Sequence, residues 1–192
     1  MADNTRNDIQ LIDLGLPSGT LWADRNVGAD KPDGYGDYFR FGETSPFTEN
    51  SPEYVYHNIN ESIAGTYKDT ATTLLGKNFR MPTFRQIKEL VELCSCQWTQ
   101  VNGVKGTMVT GPNGNFIFLP AAGYRISSSG SLYNVGSYGY YWSASPYGTN
   151  SSHMLGFGRA AGAGATTIVL TATLCDLSTD SYYLIFGVTD SC

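Results

Sequence analysis

The chain has 192 residues, which is enough for a single domain with a sizeable buried core. Only 15% of the residues are charged and the net charge is −5, so there is no cluster of Lys and Arg to neutralise the phosphates of a nucleic acid. No run of 18 apolar residues occurs, so the sequence predicts no membrane-spanning segment.

The rest of the composition favours short strands joined by many turns. Gly occurs 22 times and Tyr 13 times. Gly suits turns that need a positive φ, whereas Tyr favours pleated, half-buried surfaces. Residues 1–10 are polar and are expected to form a flexible N-terminus in which no signal-peptide pattern is visible.

The first predicted strands lie in the N-terminal quarter of the chain. Short apolar stretches at 11–16, 20–23 and 38–41 are separated by PSG at 17–19 and DGYG at 33–36. Pro and Gly in these combinations are typical of turns between strands.

Two helices are predicted next. Thr83 and Gln86 have the spacing of a capping box, and the apolar residues at 84, 87, 90, 91 and 94 fall on one helical face. This pattern predicts a helix over about 83–94. A shorter helix is predicted over about 69–75.

The remainder of the chain has the pattern of strands, with Asn102-Gly103, 112–114 and 129–130 as turn signals. Because no alternation of strand and helix occurs, we expect an α+β fold rather than a parallel sheet. We expect one domain over 11–192. The predicted strands cover 98–101, 107–110, 116–119, 140–145 and 166–174.

Four motifs with a joint spacing resemble one family. They are LGLPSGTLWA at 14–23, RMPT at 80–83, FIFLPAAGYR at 116–125 and YYWSAS at 140–145. Over about residues 11–147 the chain is similar to a Bacteroidetes domain of the C-type-lectin-like superfamily. That family includes surface lipoproteins, and related domains are the variable proteins of diversity-generating retroelements.

The resemblance implies a lectin-like fold with two helices and a loop-rich ligand face built by the C-terminal third, here residues 147–192. It also implies binding without chemistry or a cofactor, to a protein or glycan on a cell surface. The expected location is extracellular, on a bacterial surface or a phage particle. The chain departs from the family at its end, where YYLIFGVTDSC occupies residues 182–192.

The composition of the C-terminal part is unusual. Lys, Glu and Gln occur 15 times in residues 1–105 and never in residues 106–192, and Met and Trp are absent from Leu155 onward. In retroelement diversification, as the resemblance implies, randomised AAC or AAT codons can encode all residue types except these five. Strands also disfavour Lys and Glu, so a simple strand bias is the alternative explanation.

The candidate ligand contacts follow Trp142. Tyr provides a large contact area at low rotamer cost, while Ser and Asn provide adaptable hydrogen bonds. The candidates are Tyr147, Thr149, Asn150, Ser152, His153, Phe157, Arg159, Asp176, Asp180, Tyr182 and Tyr183. The three tryptophans are also suited to stacking on sugars, but their strand-like settings favour core packing for Trp22, Trp98 and Trp142.

The sequence does not favour a calcium site, a dinucleotide site or a catalytic histidine. The loop GPNG at 111–114 has no carboxylate, so calcium-dependent sugar binding is not expected. GFGRAAG at 156–162 has the glycine spacing of a dinucleotide loop, but a strand-like segment follows it, which favours a flexible loop. His57 and His153 lie in polar segments without an identifiable partner for catalysis.

The cysteines also give no metal or redox site. Cys94 and Cys96 are too close for a metal-binding knuckle, and free, mostly buried thiols are expected. The formylglycine-generating oxidases share the superfamily's fold and use paired cysteines. Cys175 and Cys192 are the only late cysteines here, and they lack that family's surroundings.

The leading hypothesis is therefore a ligand-binding protein, with no metal and no enzymatic activity, that displays variable residues on a rigid lectin-like scaffold. The alternative is a structural component of an envelope or phage particle that is not diversified. An oxidase is the least favoured hypothesis.

Overall fold

The computed structural model of the chain describes residues 9–48, 50–51, 59–126, 130–147, 152–159, 166–171, 181–182 and 186–189, with backbone alone for 166–171, 181–182 and 186–187. In these ranges it has two helices and four three-stranded sheets, so the arrangement is α+β. In chain order the elements are β1 Leu11–Asp13, β2 Leu21–Asn26, α1 Thr70–Leu75, α2 Phe84–Leu93, β3 Ser95–Val101, β4 Val104–Thr110, β5 Phe116–Pro120, β6 Tyr124–Ile126, β7 Leu132–Tyr133, β8 Tyr138–Pro146, β9 Ser152–Arg159, β10 Thr166–Thr171, β11 Ser181–Tyr182 and β12 Phe186–Thr189.

Both predicted helices are confirmed, and local capping explains where each begins. Thr83 accepts a hydrogen bond from the backbone N–H of Gln86, and the Gln86 side chain accepts one from the backbone N–H of Thr83. This is the predicted capping box. In α1 the carboxylate of Asp69 caps the helix by accepting from the N–H of Thr72.

The first and last strands share one sheet, in the order β1–β2–β12. Val188 lies opposite Trp22 on β2 and exchanges two backbone hydrogen bonds, of 2.9 and 2.8 Å, with Arg80 just before α2. The predicted strand at 38–41 is wrong. That segment forms no named strand, although Phe39 and Phe41 are fully buried, because its side chains pack into the core without a continuous backbone partner.

Strands β3, β4 and β5 form an antiparallel meander, which confirms the strands predicted near 98, 107 and 116. The β3–β4 hairpin turns at Asn102 and Gly103, whose φ angles are 47° and 86°. Positive φ at both central residues is the geometry that an Asn-Gly hairpin turn requires.

The sheet β8–β9–β10 lies between two hydrophobic clusters. On one face Tyr141, Leu155 and Phe157 join the larger cluster, and on the other Trp142 and Met154 join the smaller one. Successive side chains of a strand point to opposite faces, so apolar residues on both faces make β8 and β9 central elements of the fold.

The burial of β9 corrects two expectations. Residues 156–159 belong to a strand and not to a flexible loop, and every residue from Met154 to Gly158 is buried. The second expectation, a loop-rich ligand face over 147–192, is corrected because β9 and Val188 of β12 are parts of the interior.

Neither helix in the described ranges is long and apolar enough to cross a lipid bilayer.

Candidate functional site

Four tyrosines, which we call the tyrosine cluster, gather where β6, β7 and β8 meet: Tyr124, Tyr133, Tyr138 and Tyr140. The rings of Tyr124 and Tyr133 stack with centroids 5.7 Å apart, and those of Tyr138 and Tyr140 stack at 6.2 Å. Tyr124 meets Tyr140 edge to face at 5.6 Å. Each ring is thus held by a neighbouring ring.

Glycines on β9 lie opposite the β8 tyrosines, and Gly158 leaves the space that the Tyr138 ring occupies. Tyr138 lies opposite Gly158 and Tyr140 lies opposite Gly156 in the antiparallel register. A Cβ added to Gly158 would be 2.6 Å from two atoms of the Tyr138 ring. Because glycine has no side chain, the ring can lie directly over the backbone of β9, which fixes its orientation.

The tyrosine cluster is accessible to a ligand. Tyr133 and Tyr138 are each 45% exposed, and the nearby Leu132 and Val135 are also exposed. Tyr124 and Tyr140 are half-buried behind them. Exposed, pre-oriented tyrosines give large contact areas with little loss of side-chain entropy, which is how many binding surfaces work.

A cleft of about 330 Å³ adjoins Tyr138. Its floor and walls come from four strands and from the turn that leads into β8. The lining residues are Trp98 of β3, Lys105 of β4, Gly136, Ser137, Tyr138 of β8 and Arg159 of β9.

Packing fixes the aromatic wall of the cleft. Trp98 is half-buried, and its ring meets that of Phe157 at 6.5 Å in an edge-on arrangement. Phe157 in turn stacks on the buried Tyr141 at 6.0 Å. Trp98 therefore packs against the core, as its sequence setting predicted, and also contributes surface to the cleft.

The cleft has two cationic side chains, Lys105 and Arg159. Both are exposed, and neither forms an ion pair with another described residue. The cleft can therefore stack on a ring, donate hydrogen bonds and attract an anion.

The tyrosine cluster adds no negative charge through Tyr140. Burial raises the pKa of Tyr140 above its ordinary value, so this phenol is uncharged at neutral pH.

The predicted site residues do not form one site. Arg159 lines the cleft, whereas Tyr147 and His153 lie at the other end of the β8–β9 pair. Arg159 lies six positions after His153 on the extended strand β9, which is a distance of roughly 20 Å. Thr149, Asn150, Asp176, Asp180 and Tyr183 lie outside the described residues, and only the backbone of Tyr182 is described.

Ser152 and Phe157 are corrected from ligand contacts to interior residues. Ser152 is fully buried, and its hydroxyl lies 3.0 Å from the carbonyl oxygen of Ser145, to which it can donate where the pairing of β8 and β9 is irregular. Phe157 is 2% exposed because its ring lies over Gly139 on β8, facing the core.

His153 is half-buried and lies in β9 rather than in a polar loop. Its ring stacks on Phe84 at 4.0 Å and meets Tyr147 edge-on at 5.1 Å. Burial lowers its pKa, so the imidazole is neutral at neutral pH. Tyr147 remains exposed and is the part of this group that a ligand can reach.

The other motifs singled out in the sequence have structural roles. Trp22 and Trp142 are each 2% exposed, which confirms core packing. In the 111–114 loop Asn113 donates to the backbone carbonyl of Asp13 at 2.9 Å. Across the described part of the chain no group of three or more His, Cys, Asp or Glu is placed to hold a metal.

The cysteines are described only in part. Cys94 and Cys96 are free thiols of intermediate exposure, and burial raises the pKa of each to about 11. Cys175, Cys192 and His57 lie outside the described residues.

Sequence reasoning missed the tyrosine cluster and most of the cleft. It placed the ligand contacts after Trp142, whereas Tyr133, Tyr138 and Lys105 precede it. The signal was present: tyrosines at alternate positions 138 and 140 face the same side of a strand. The long-range placement of Trp98 and Arg159 beside them has no local signal.

Comparisons with family models, curated proteins and solved structures found no match to this chain.

Proposed function

We propose that this chain is a non-catalytic ligand-binding protein, and that the tyrosine cluster and the adjoining cleft form its binding surface. The observation that carries the proposal is the pair of exposed, pre-oriented rings of Tyr133 and Tyr138, held by stacking contacts at 5.7 and 6.2 Å. Rigid aromatic anchors in an exposed surface are typical of binding sites.

The fold proposed for this surface is the lectin-like domain that the four sequence motifs resemble. The two helices and small antiparallel sheets give an α+β arrangement, which is the class expected for such a domain. We propose that the chain acts outside the cell, on a bacterial surface or a phage particle, and binds a protein or glycan on another surface.

Retroelement diversification of the exposed C-terminal residues is part of the proposal. The absence of Lys, Glu and Gln after Lys105 supports it. The burial of β9 limits the number of positions that tolerate substitution, because replacing a packed side chain lowers the free energy of unfolding by several kcal/mol. Sequencing the locus across a population should find variation at exposed Tyr147 and Arg159 and none at buried Met154, Leu155 and Phe157.

The binding surface is tested by removing its anchors. The double variant Tyr133→Ser/Tyr138→Ser, applied to an array of oligosaccharides and purified bacterial surface proteins, should lose at least about tenfold in affinity for whatever the unaltered chain binds. The matched control is Tyr67→Ser, which removes a tyrosine that is 82% exposed on the loop before α1.

The Tyr67→Ser control must retain full binding, since Tyr67 is outside the proposed surface. The proposed function is wrong if the double variant binds as well as the unaltered chain. It is also wrong if the unaltered chain binds neither an oligosaccharide nor a surface protein on the array. Uniform population variation that includes the core of β9 would contradict the diversification proposal.

A further inference from the structure

The cleft beside Tyr138 has a charge that the rest of the chain does not share. The chain carries a net charge of −5, yet the segment from Gly106 through Cys175 has no Asp or Glu and contains two Arg. Among the described residues, the cleft is lined by Lys105 and Arg159 and by no carboxylate side chain. A cationic cleft on an acidic protein favours a negatively charged ligand.

The backbone N–H groups of the turn that leads into β8 are not available to bind that ligand. The N–H of Gly136 donates to the carbonyl of Ala121 at 2.7 Å, and those of Ser137 and Tyr138 both donate to the carbonyl of Asn134 at 3.0 Å. Phosphate sites usually rely on free backbone N–H groups at such glycine turns. Anion recognition here must therefore come from the side chains of Lys105 and Arg159.

The aromatic wall suits a sugar ring. Trp98 offers aromatic surface, and the exposed Ser137 also lines the cleft. Arg presents a planar fork that matches a carboxylate with two parallel hydrogen bonds. The cleft volume of about 330 Å³ lies at the small end of ligand sites, which favours a single terminal residue over a long polymer.

We infer that the cleft binds an acidic saccharide, with the carboxylate on Arg159 and Lys105 and the sugar ring against Trp98. The inference rests on the proposed function and gives its binding surface a ligand class.

The test follows the indole N–H resonance of Trp98 in nuclear magnetic resonance spectra while D-glucuronate is added to the full chain. Trp22 and Trp142 are buried, so their two indole signals are internal references. Glucuronate should shift the Trp98 signal and saturate, whereas uncharged D-glucose should need at least about tenfold higher concentration, because it lacks the charge-assisted hydrogen bonds.

Charge variants identify the residues. Arg159→Gln and Lys105→Gln should each weaken glucuronate binding by about tenfold. Arg85→Gln makes the same change of charge at an exposed position on α2 and should leave binding unchanged.

Three outcomes would each overturn the acidic-saccharide assignment. They are equal binding of glucose and glucuronate, an equal effect of Arg85→Gln and Arg159→Gln, and tighter binding of inorganic phosphate than of glucuronate. If those results came with array binding that still depended on Tyr133 and Tyr138, the proposed function would stand and only the ligand class would fall.

Discussion

The ring of Tyr138 lies over the backbone of Gly158, its partner on the neighbouring strand, so closely that a Cβ on Gly158 would be 2.6 Å from two ring atoms. This contact connects the core to the binding surface. Gly158 belongs to the buried strand β9, while Tyr138 is 45% exposed and its ring belongs to the tyrosine cluster. The accessible Tyr138 ring can thus occupy this position because Gly158 has no side chain.

Replacing Gly158 by Ala should therefore reduce binding more than stability. The φ of Gly158 is outside the left-handed region, so Ala fits the backbone and the Tyr138 ring must move instead. Because that ring is at the surface, we expect a cost below about 1 kcal/mol in the free energy of unfolding and a weakening of ligand binding by about tenfold.

A double-mutant cycle checks this explanation. When Tyr138 is already Ala, Gly158→Ala should no longer lower stability and should raise it by about 0.5 kcal/mol, since Ala is favoured over Gly within a strand. Urea denaturation measures the free energy of unfolding in both backgrounds. If Gly158→Ala lowered it equally with and without the Tyr138 ring, contact with that ring would not be the reason for glycine at position 158.

The neighbouring pair gives the opposite expectation. Gly139 lies opposite Phe157, and a Cβ on Gly139 would be 2.2 Å from the Phe157 ring. Phe157 is enclosed by Tyr141 and Trp98 and has nowhere to move. Gly139→Ala should therefore lower the free energy of unfolding by about 2–3 kcal/mol.

The adjacent positions 139 and 158 make this a matched comparison, since each substitution adds one methyl group to the same strand pair. Thermal denaturation of the two variants should give a clearly larger loss for Gly139→Ala. Equal losses would contradict the assignment of one ring to the core and the other to the surface.

Asp69 is expected to be the most sensitive polar residue among those described. It is fully buried, and its carboxylate accepts hydrogen bonds from the backbone N–H groups of Gly65, Thr72 and Met81. Asp69→Ala would leave these donors without their acceptor and detach α1 from the Met81 segment. We expect a loss of about 3 kcal/mol or more in the free energy of unfolding.

Asp30→Ala is the control for Asp69, since it removes the same group from an exposed position. It should change stability by less than about 0.5 kcal/mol. Should Asp69→Ala prove equally mild in urea denaturation, the buried carboxylate would not be holding α1 in place.

The elements with a local cause were predictable from the sequence. The Thr83–Gln86 capping box and the Asn102-Gly103 turn each depend on residues within three positions of one another, and both are confirmed. Trp22 and Trp142 were correctly expected in the core, because aromatic residues in apolar strands are usually buried.

The failures concern tertiary placement. The small residues of GFGR at 156–159 predict a loop, yet these residues belong to a strand, and the Tyr138 ring occupies the space beside Gly158. The sequence suggests a surface position for Ser152. Its contact with the Ser145 carbonyl becomes apparent only when β8 and β9 are paired. Such reasons are visible only once the strands are paired.

The thiols of Cys94 and Cys96 should react slowly in the folded chain. Burial raises the pKa of each from 9.0 to about 11, and the thiolate is the reactive form. At about pH 8 the thiolate population falls roughly a hundredfold relative to the ordinary thiol, so alkylation by iodoacetamide should slow by a similar factor on folding.

A Cys175→Ser/Cys192→Ser background confines the measurement to these two thiols. The alkylation rate of the folded chain, followed by mass spectrometry, should rise about tenfold per pH unit and level off only near the pKa of about 11. In denaturant the rate should level off about two units lower. A folded chain whose rate levelled off at the same pH as the denatured chain would show that the surroundings of α2 and β3 do not bury these sulfur atoms.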